Sequence, residues 1–218
     1  MIPLRTVDIV EEKLNSVTHG IGAGLAIAAL VYLMVRAVPT GSALLVTTLA
    51  IYGAFQIVLY LSSSLMHVFH DMPRVYKVLN VMDLYAIYFL IAGTYTPAVL
   101  AGIGGSLGWW LFGIEWGLVV TGLLLRGVII RRPHIALDLL YVPMGWIVIF
   151  VAGAVVDSLG RGFLSWALLG GILYTVGVIF YAWRRLPMSH MIWHLFVMAG
   201  GLSFFFGFVF HLIPMYGG

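Results

Sequence analysis

Long apolar stretches alternate with short polar ones along the whole chain. Seven of these stretches have the roughly 20 consecutive apolar residues that a helix needs to cross a bilayer. The connections between them are too short to fold separately, so we expect one domain, residues 1–218, in which seven transmembrane helices form a single bundle. The sequence therefore predicts an all-α integral membrane protein. The predicted spans are 17–38, 43–66, 81–103, 107–130, 135–156, 163–183 and 191–213.

The composition agrees with a membrane protein. Apolar residues make up 62% of the chain, charged residues 9%, and the mean hydropathy is +1.08, which lies far from the range of soluble globular proteins. The first residues, with Asp8, Glu11 and Glu12, lack the basic and then apolar order of a cleavable signal peptide, so we expect the first helix to direct insertion. The chain has no cysteine, which leaves histidine and carboxylates as its strong metal ligands.

The basic residues indicate the orientation in the membrane. If the N-terminus is cytoplasmic, nine of the 11 lysines and arginines fall on the cytoplasmic side and two fall outside. The positive-inside rule then predicts a cytoplasmic N-terminus and an external C-terminus. This distribution explains the pI of about 9.3 without a nucleic-acid partner. The inside residues are Arg5, Lys13, Arg74, Lys77, Arg126, Arg131, Arg132, Arg184 and Arg185, and the outside residues are Arg36 and Arg161.

With this orientation, polar side chains from five spans lie at one depth near the cytoplasmic face. His190 and His194 begin the last span four residues apart, so their Cβ atoms lie about 6 Å apart on one helix face. Two imidazoles at that spacing can bind one metal ion. Ser63 and His67 repeat the spacing at the end of the second span. Other polar residues at this depth are Glu12, Asn15, Thr18, His19, Asp83 and Asp138.

This cluster predicts a metal site. A zinc site with an open position takes three protein ligands and a water, and we predict His67, His190 and His194 as the ligands. Asp83 is either a fourth ligand or holds the bound water and acts as its base, and the second role suits a catalytic site. Ser63 either orients a ligand or donates a hydrogen bond to an oxyanion.

We expect residues of the first span to support the ligands rather than to bind the metal. His19 shares a stripe with Asn15 and Gly22, and such a stripe of small and polar residues is typical of close helix packing. The predicted supporting residues are Glu12, Asn15, Thr18 and His19.

Several other titratable residues fall outside the predicted site. His70 and His134 lie beside basic loops, where we expect solvent, and His211 lies at the external end. Glu115 lies within the fourth span, so we expect it to pair inside the bundle or to be protonated. The sequence assigns no role to Glu115 or Asp138.

At these motifs the chain resembles the hemolysin III family, bacterial members of the progestin and adipoQ receptor superfamily and distant relatives of alkaline ceramidases. The resemblance runs nearly end to end. It implies seven helices with a cytoplasmic N-terminus in the plasma (inner) membrane, zinc held by the three histidines, and a water between the metal and the aspartate. The identity of the metal as zinc depends on this resemblance. The motifs are Glu12-x-x-Asn15-x-x-Thr18-His19, Ser63-x-x-x-His67, Asp83, and His190-x-x-x-His194.

Three functions remain open at the level of sequence. The first is a zinc-dependent hydrolase of lipid amides or esters, in which Asp83 deprotonates water and the substrate enters from the bilayer. The second is a receptor-like or membrane-homeostasis protein in which the zinc is structural. The third is the cytolytic pore that the family name suggests, which we disfavour because the chain shows neither a soluble form nor a continuous polar lumen.

Two other classes with intramembrane cofactors fit less well. A rhodopsin needs a lysine within a helix, and the only lysines, Lys13 and Lys77, lie in predicted cytoplasmic segments. Haem bound between two histidines is chemically feasible, but such a site does not need a carboxylate.

Overall fold

The computed structural model of the protein describes residues 9–126, 140–183 and 185–217. Within these ranges the regular structure is helical, and there is no β-strand. The α-helices are α1 (Ile9–Ala37), α2 (Ala43–Val68), α3 (Pro73–Thr96), α4 (Gly105–Leu124), α5 (Tyr141–Gly145), α6 (Ala152–Ala182) and α7 (Ser189–Gly207). They are joined or extended by 3₁₀ segments at Val38–Thr40, Ile147–Val151 and Ile213–Tyr216, and by π-helical segments at Pro97–Ile103 and Phe208–Leu212.

Six helical segments within the described ranges are long and apolar enough to cross a membrane, which agrees with the predicted all-helical membrane protein. Two helices begin eight residues before the predicted spans, α1 at Ile9 and α3 at Pro73. Hydropathy detects only the apolar part of a helix, whereas the helix continues through polar residues at the interface. The end of the fourth predicted span, the start of the fifth, His134 and Asp138 lie outside the described residues. The six segments are Ile9–Thr40, Ala43–Val68, Pro73–Ile103, Gly105–Leu124, Tyr141–Ala182 and Ser189–Tyr216.

The fifth segment reverses direction at Gly160. This glycine has φ 81° and ψ 164°, which interrupts the helical backbone inside α6 and favours a residue without a Cβ atom. A hydrogen bond joins residues on the two sides of this glycine: Trp146 Nε1, before it, donates to Thr175 Oγ1, after it, at 3.0 Å. A continuous helix would separate these two residues by about 43 Å. The chain therefore folds back on itself at Gly160.

The first and last helices run parallel. Near their N-terminal ends, Thr18 Oγ1 lies 3.2 Å from His194 Nδ1, and farther along the rings of Tyr32 and Phe205 lie 5.8 Å apart. The last turn of α2 contacts Glu12 of α1, so α2 runs antiparallel to α1. The start of α1, the end of α2 and the start of α7 therefore meet at one end of the bundle.

A glycine on α7 allows α2 to approach closely below this end. A Cβ atom at Gly201 would collide with Gln56 Nε2 and would lie 2.8 Å from Tyr60 Oη. The carbonyl of Gly201 also accepts a hydrogen bond of 2.9 Å from Tyr52 Oη, and Gln56 Nε2 lies 3.2 Å from Tyr60 Oη. The polar side chains of Tyr52, Gln56 and Tyr60 on α2 therefore pack inside the bundle against α7.

Candidate metal centre

Three histidine rings converge where α1, α2 and α7 meet. His67 in the last turn of α2 and His190 and His194 at the start of α7 each offer one ligand atom, and these atoms all lie within 4.8 Å of one another. The ring centroids are 4.6–5.3 Å apart, and the rings meet edge to face. Nitrogens in a tetrahedral site with bonds of about 2.1 Å lie roughly 3.4 Å apart. Small movements of the rings therefore suffice for all three to bind one metal ion.

The backbone before α7 sets the position of its two histidines. Met188 has φ 58° and ψ 16°, and it is the one non-glycine residue with a positive φ in the described part of the chain. The α-helix begins at the next residue, Ser189, so His190 and His194 lie within its first two turns. Left-handed backbone at a residue with a side chain is uncommon and is often found beside functional sites.

In two of the three histidines, His67 and His194, the ring nitrogen that faces away from the centre has a partner on α1. His67 Nδ1 lies 2.7 Å from Glu12 Oε2, so its N–H donates to the carboxylate. His194 Nδ1 lies 3.2 Å from both the carbonyl of Asn15 and Thr18 Oγ1. Because Thr18 Oγ1 itself donates to backbone carbonyls, it accepts from the imidazole. These bonds fix the tautomers and leave Nε2 of His67 and His194 with its lone pair available for a metal.

The inward nitrogens fit a metal ion. Nε2 of His67 and Nε2 of His190 are buried and have no hydrogen-bond partner among the described residues. The cost of burying an unsatisfied polar atom is removed when that atom binds a metal. Three neutral imidazoles with one ring nitrogen each toward the centre form a donor set that zinc and other borderline metals prefer.

Asp83 and Ser63 lie together beside the histidines. Ser63 and His67 both lie close enough to the Asp83 carboxyl to interact with it. Ser63 is almost fully buried, with 1% of its surface exposed. The serine is therefore placed to donate a hydrogen bond to the aspartate. Its predicted role toward an oxyanion, and the role of Asp83 as a base, stay predictions.

His19 stacks on His194 and is poorly placed to bind the same ion. The two ring centroids are 3.5 Å apart and the planes differ by 13°. The lone pairs of imidazole lie in the plane of the ring. The lone pairs of two stacked rings therefore lie in parallel planes and do not converge on one ion. The role of His19 in supporting a ligand stays a prediction. Tyr60 covers another side of the His19 ring at a centroid distance of 5.1 Å.

Two other titratable residues, Glu115 and His211, lie away from this centre. Glu115 in α4 is fully buried, and its carboxylate oxygens have no hydrogen-bond partner among the described residues. His211 lies in the π-helical segment that follows α7, at the opposite end of that helix, where its ring covers Gly162. Neither residue contributes to the metal centre.

His70 differs from the sequence prediction, which placed it in solvent. Its side chain is only 19% exposed. Nδ1 lies 2.9 Å from the carbonyl of His67 and Nε2 lies 2.7 Å from Asp71 Oδ1. The three-residue spacing from His67 is the signal that could have found this contact, because the helix ends at Val68 and His70 turns back over its last carbonyls.

Comparisons with known proteins identify relatives of this chain. A family model described as "Haemolysin-III related" matches residues 7–205. "Hemolysin-3" of Bacillus cereus is 44% identical over 205 residues, covering 94% of this chain and 93% of the relative. "Hemolysin-3 homolog" of Bacillus subtilis (strain 168) is 40% identical over 208 residues, covering 95% and 97%. The human "Monocyte to macrophage differentiation factor" is 25% identical over 156 residues, covering 67% and 63%.

The family model and the two Bacillus relatives each match more than nine-tenths of the chain. Together with the apolar helices, they show an integral multi-pass membrane protein, and the bacterial origin of these relatives supports the plasma (inner) membrane. The chain belongs to the haemolysin III family.

Proposed function

We propose that this haemolysin III protein is a zinc-dependent hydrolase of lipid amides or esters, with zinc held by His67, His190 and His194. The observation that carries the proposal is a carboxylate close to His67, that of Asp83, which the outward ring nitrogens of the ligands do not use. The outward nitrogens of His67 and His194 are held by Glu12, Asn15 and Thr18. The carboxylate of Asp83 is therefore not needed to orient these two ligands, and it remains available for proton transfer.

In this mechanism the protein positions the water and moves its proton. When bound, zinc supplies a Lewis acid that polarises a carbonyl and makes water reactive near neutral pH. Asp83, with Ser63 beside it, takes a proton from the water while the oxygen of that water attacks the carbonyl carbon. Asp83 then returns the proton to the departing amine or alcohol as the bond to the acyl carbon breaks. The products are a fatty acid and an amine or alcohol.

We further propose that the chain crosses the membrane seven times, with the N-terminus in the cytoplasm and the C-terminus outside. The reversal at Gly160 supports two spans within Tyr141–Ala182, because 42 residues make a helix of about 63 Å, twice the hydrocarbon thickness. The parallel course of α1 and α7 also supports an odd number of spans. The metal centre then lies at the cytoplasmic end of the bundle, within reach of lipids that enter from the bilayer.

A structural metal is the second candidate. The ligands come from α2 and α7. His67 and His194 are buried, with 6% and 1% of their surface exposed, and His190 is half-buried. A metal at this position would tie the two helices together, as a receptor-like or membrane-homeostasis protein would use it. The cytolytic pore that the names of the relatives suggest has no supporting observation in the described residues.

Substitution of Asp83 separates the first two candidates. We expect Asp83→Asn to retain its metal and to lose 10²- to 10⁴-fold in turnover of a lipid amide or ester, as is typical of a lost general base. Asp157→Asn, an exposed carboxylate on α6, is the matched control and should turn over like the wild type. The measurements are metal analysis of purified protein and mass spectrometry of products from ceramides, acylated amines and phospholipids. A zinc-loaded wild type that yields no product from this panel would favour the structural metal.

A further inference from the structure

Polar atoms on α1 next to the metal centre are buried without partners. Oδ1 of Asn15 and both ring nitrogens of His19 have no hydrogen-bond partner among the described residues. Each of the two residues is only 2% exposed. The backbone of His194 lies near the His19 ring without the geometry of a hydrogen bond. Native proteins contain few such groups, and each one points to an unidentified polar ligand or to strain.

The metal ion does not satisfy these atoms. The His19 ring lies face to face with His194, so its lone pairs do not point at the ion that His194 binds. Asn15 contacts the centre through its backbone carbonyl, which accepts from His194 Nδ1, while its side-chain oxygen stays unused. A metal therefore accounts for Nε2 of His67 and of His190 but leaves three polar atoms on α1.

A single hydroxyl group matches two of these three atoms. Asn15 and His19 are four residues apart on α1, so their side chains lie on the same face of that helix, one turn apart. Oδ1 of Asn15 accepts a hydrogen bond, and a neutral imidazole both donates and accepts. A hydroxyl has one donor and two acceptor sites, so it can donate to Asn15 and accept from His19. A charged group would be costly here, because both residues are almost completely buried.

We propose that Asn15 and His19 bind one hydroxyl group beside the metal centre, supplied either by a buried water or by the alcohol of a lipid. The water source is independent of the proposed hydrolase, whereas the lipid source rests on it. In the second case the hydroxyl holds the lipid by a group other than the scissile bond itself, and lipids that carry an alcohol near the amide bind better than those that lack it.

A double-mutant cycle on thermal stability tests the proposal without enzymatic activity. Asn15→Leu and His19→Phe replace the polar atoms by apolar groups of similar shape, and His19→Phe keeps the stacked ring. If a hydroxyl bridges the two residues, each single variant should melt on the order of 2–4 °C lower, as expected for one lost buried hydrogen bond in a chain of this size. The double variant should lose clearly less than the sum of the two. Single variants that melt at or above the wild-type temperature, with additive effects, would overturn the proposal.

Two measurements on the folded wild type complete the test. A structure at a resolution that shows ordered water should have an oxygen within about 3.2 Å of Asn15 and of a His19 nitrogen, and empty space there would also overturn the proposal. Thermal shifts of delipidated protein with N-oleoyl ethanolamine and with N-oleoyl propylamine identify the source. A larger shift with the ethanolamide that disappears in Asn15→Leu assigns the hydroxyl to the lipid, and equal shifts assign it to water. If the protein has no hydrolase activity but Asn15→Leu and His19→Phe are still coupled in the double-mutant cycle, the proposed hydrolase is contradicted and the bound hydroxyl is not.

Discussion

Replacing Glu12 by glutamine tests whether α1 sets the affinity of the metal centre. The substitution removes a negative charge 2.7 Å from His67 Nδ1 and keeps an oxygen that can accept the hydrogen bond. Partners of this kind raise the basicity of a ligand and fix its ring, and their loss typically costs 10- to 100-fold in metal affinity. That range corresponds to about 1.4–2.7 kcal/mol. Because the Glu12 side chain is 23% exposed, water weakens the interaction, and we expect a loss close to tenfold.

The assay is a competition between the purified protein and a chelator of known zinc affinity at constant pH. We expect Glu12→Gln to bind zinc about tenfold more weakly than the wild type. Asp157→Asn removes a carboxylate that is exposed on α6 and should leave the affinity unchanged. A folded Glu12→Gln protein with wild-type zinc affinity would refute the conclusion that Glu12 orients His67 for a metal.

Three other predictions follow from the structure. His194→Ala leaves two imidazole ligands, so the metal content measured by elemental analysis should fall sharply. The melting temperature should also fall, because a bound metal stabilises the native state. Gly201→Ala brings a methyl group onto Gln56 and Tyr60 and should destabilise the protein by about 1–3 kcal/mol, whereas Gly113→Ala, whose Cβ meets no atom within 4 Å, should melt like the wild type. A reporter fused after Gly218 should be active only outside the cytoplasm, and cytoplasmic activity would contradict the seven-span topology.

The sequence was sufficient to bring the three candidate ligands together. Two of them, His190 and His194, share a helix face through local spacing, and the depth of His67 follows from hydropathy and basic residues. These signals belong to single helices or to the membrane as a whole. They can therefore be read from the sequence without knowledge of how the helices pack.

The contacts between helices were beyond the sequence. Glu12 was expected to support the site, but its pairing with His67 depends on the rotation of α1 against α2, which no spacing along one helix determines. The carbonyl of Asn15 accepts a hydrogen bond from His194. Every residue has a backbone carbonyl, so the residue type at position 15 does not predict this contact. His70 was misplaced in solvent because a short polar loop resembles a solvated one, whereas the chain here turns back over the end of α2.

The first helix contributes no predicted ligand, yet it determines how two ligands face the centre. Glu12 holds His67, and the carbonyl of Asn15 holds His194, so a shift of α1 would change the orientation of both imidazoles at once. The seam between α1 and α2 is fixed nearby, where Ser64 Oγ donates to the carbonyl of Ser16 at 2.9 Å. A Cβ atom at Gly20 would lie 3.3 Å from the same Ser64 oxygen. Close packing along this seam therefore keeps α1 in register with the three histidines, and we expect the metal affinity of the proposed site to depend on a helix that supplies no ligand.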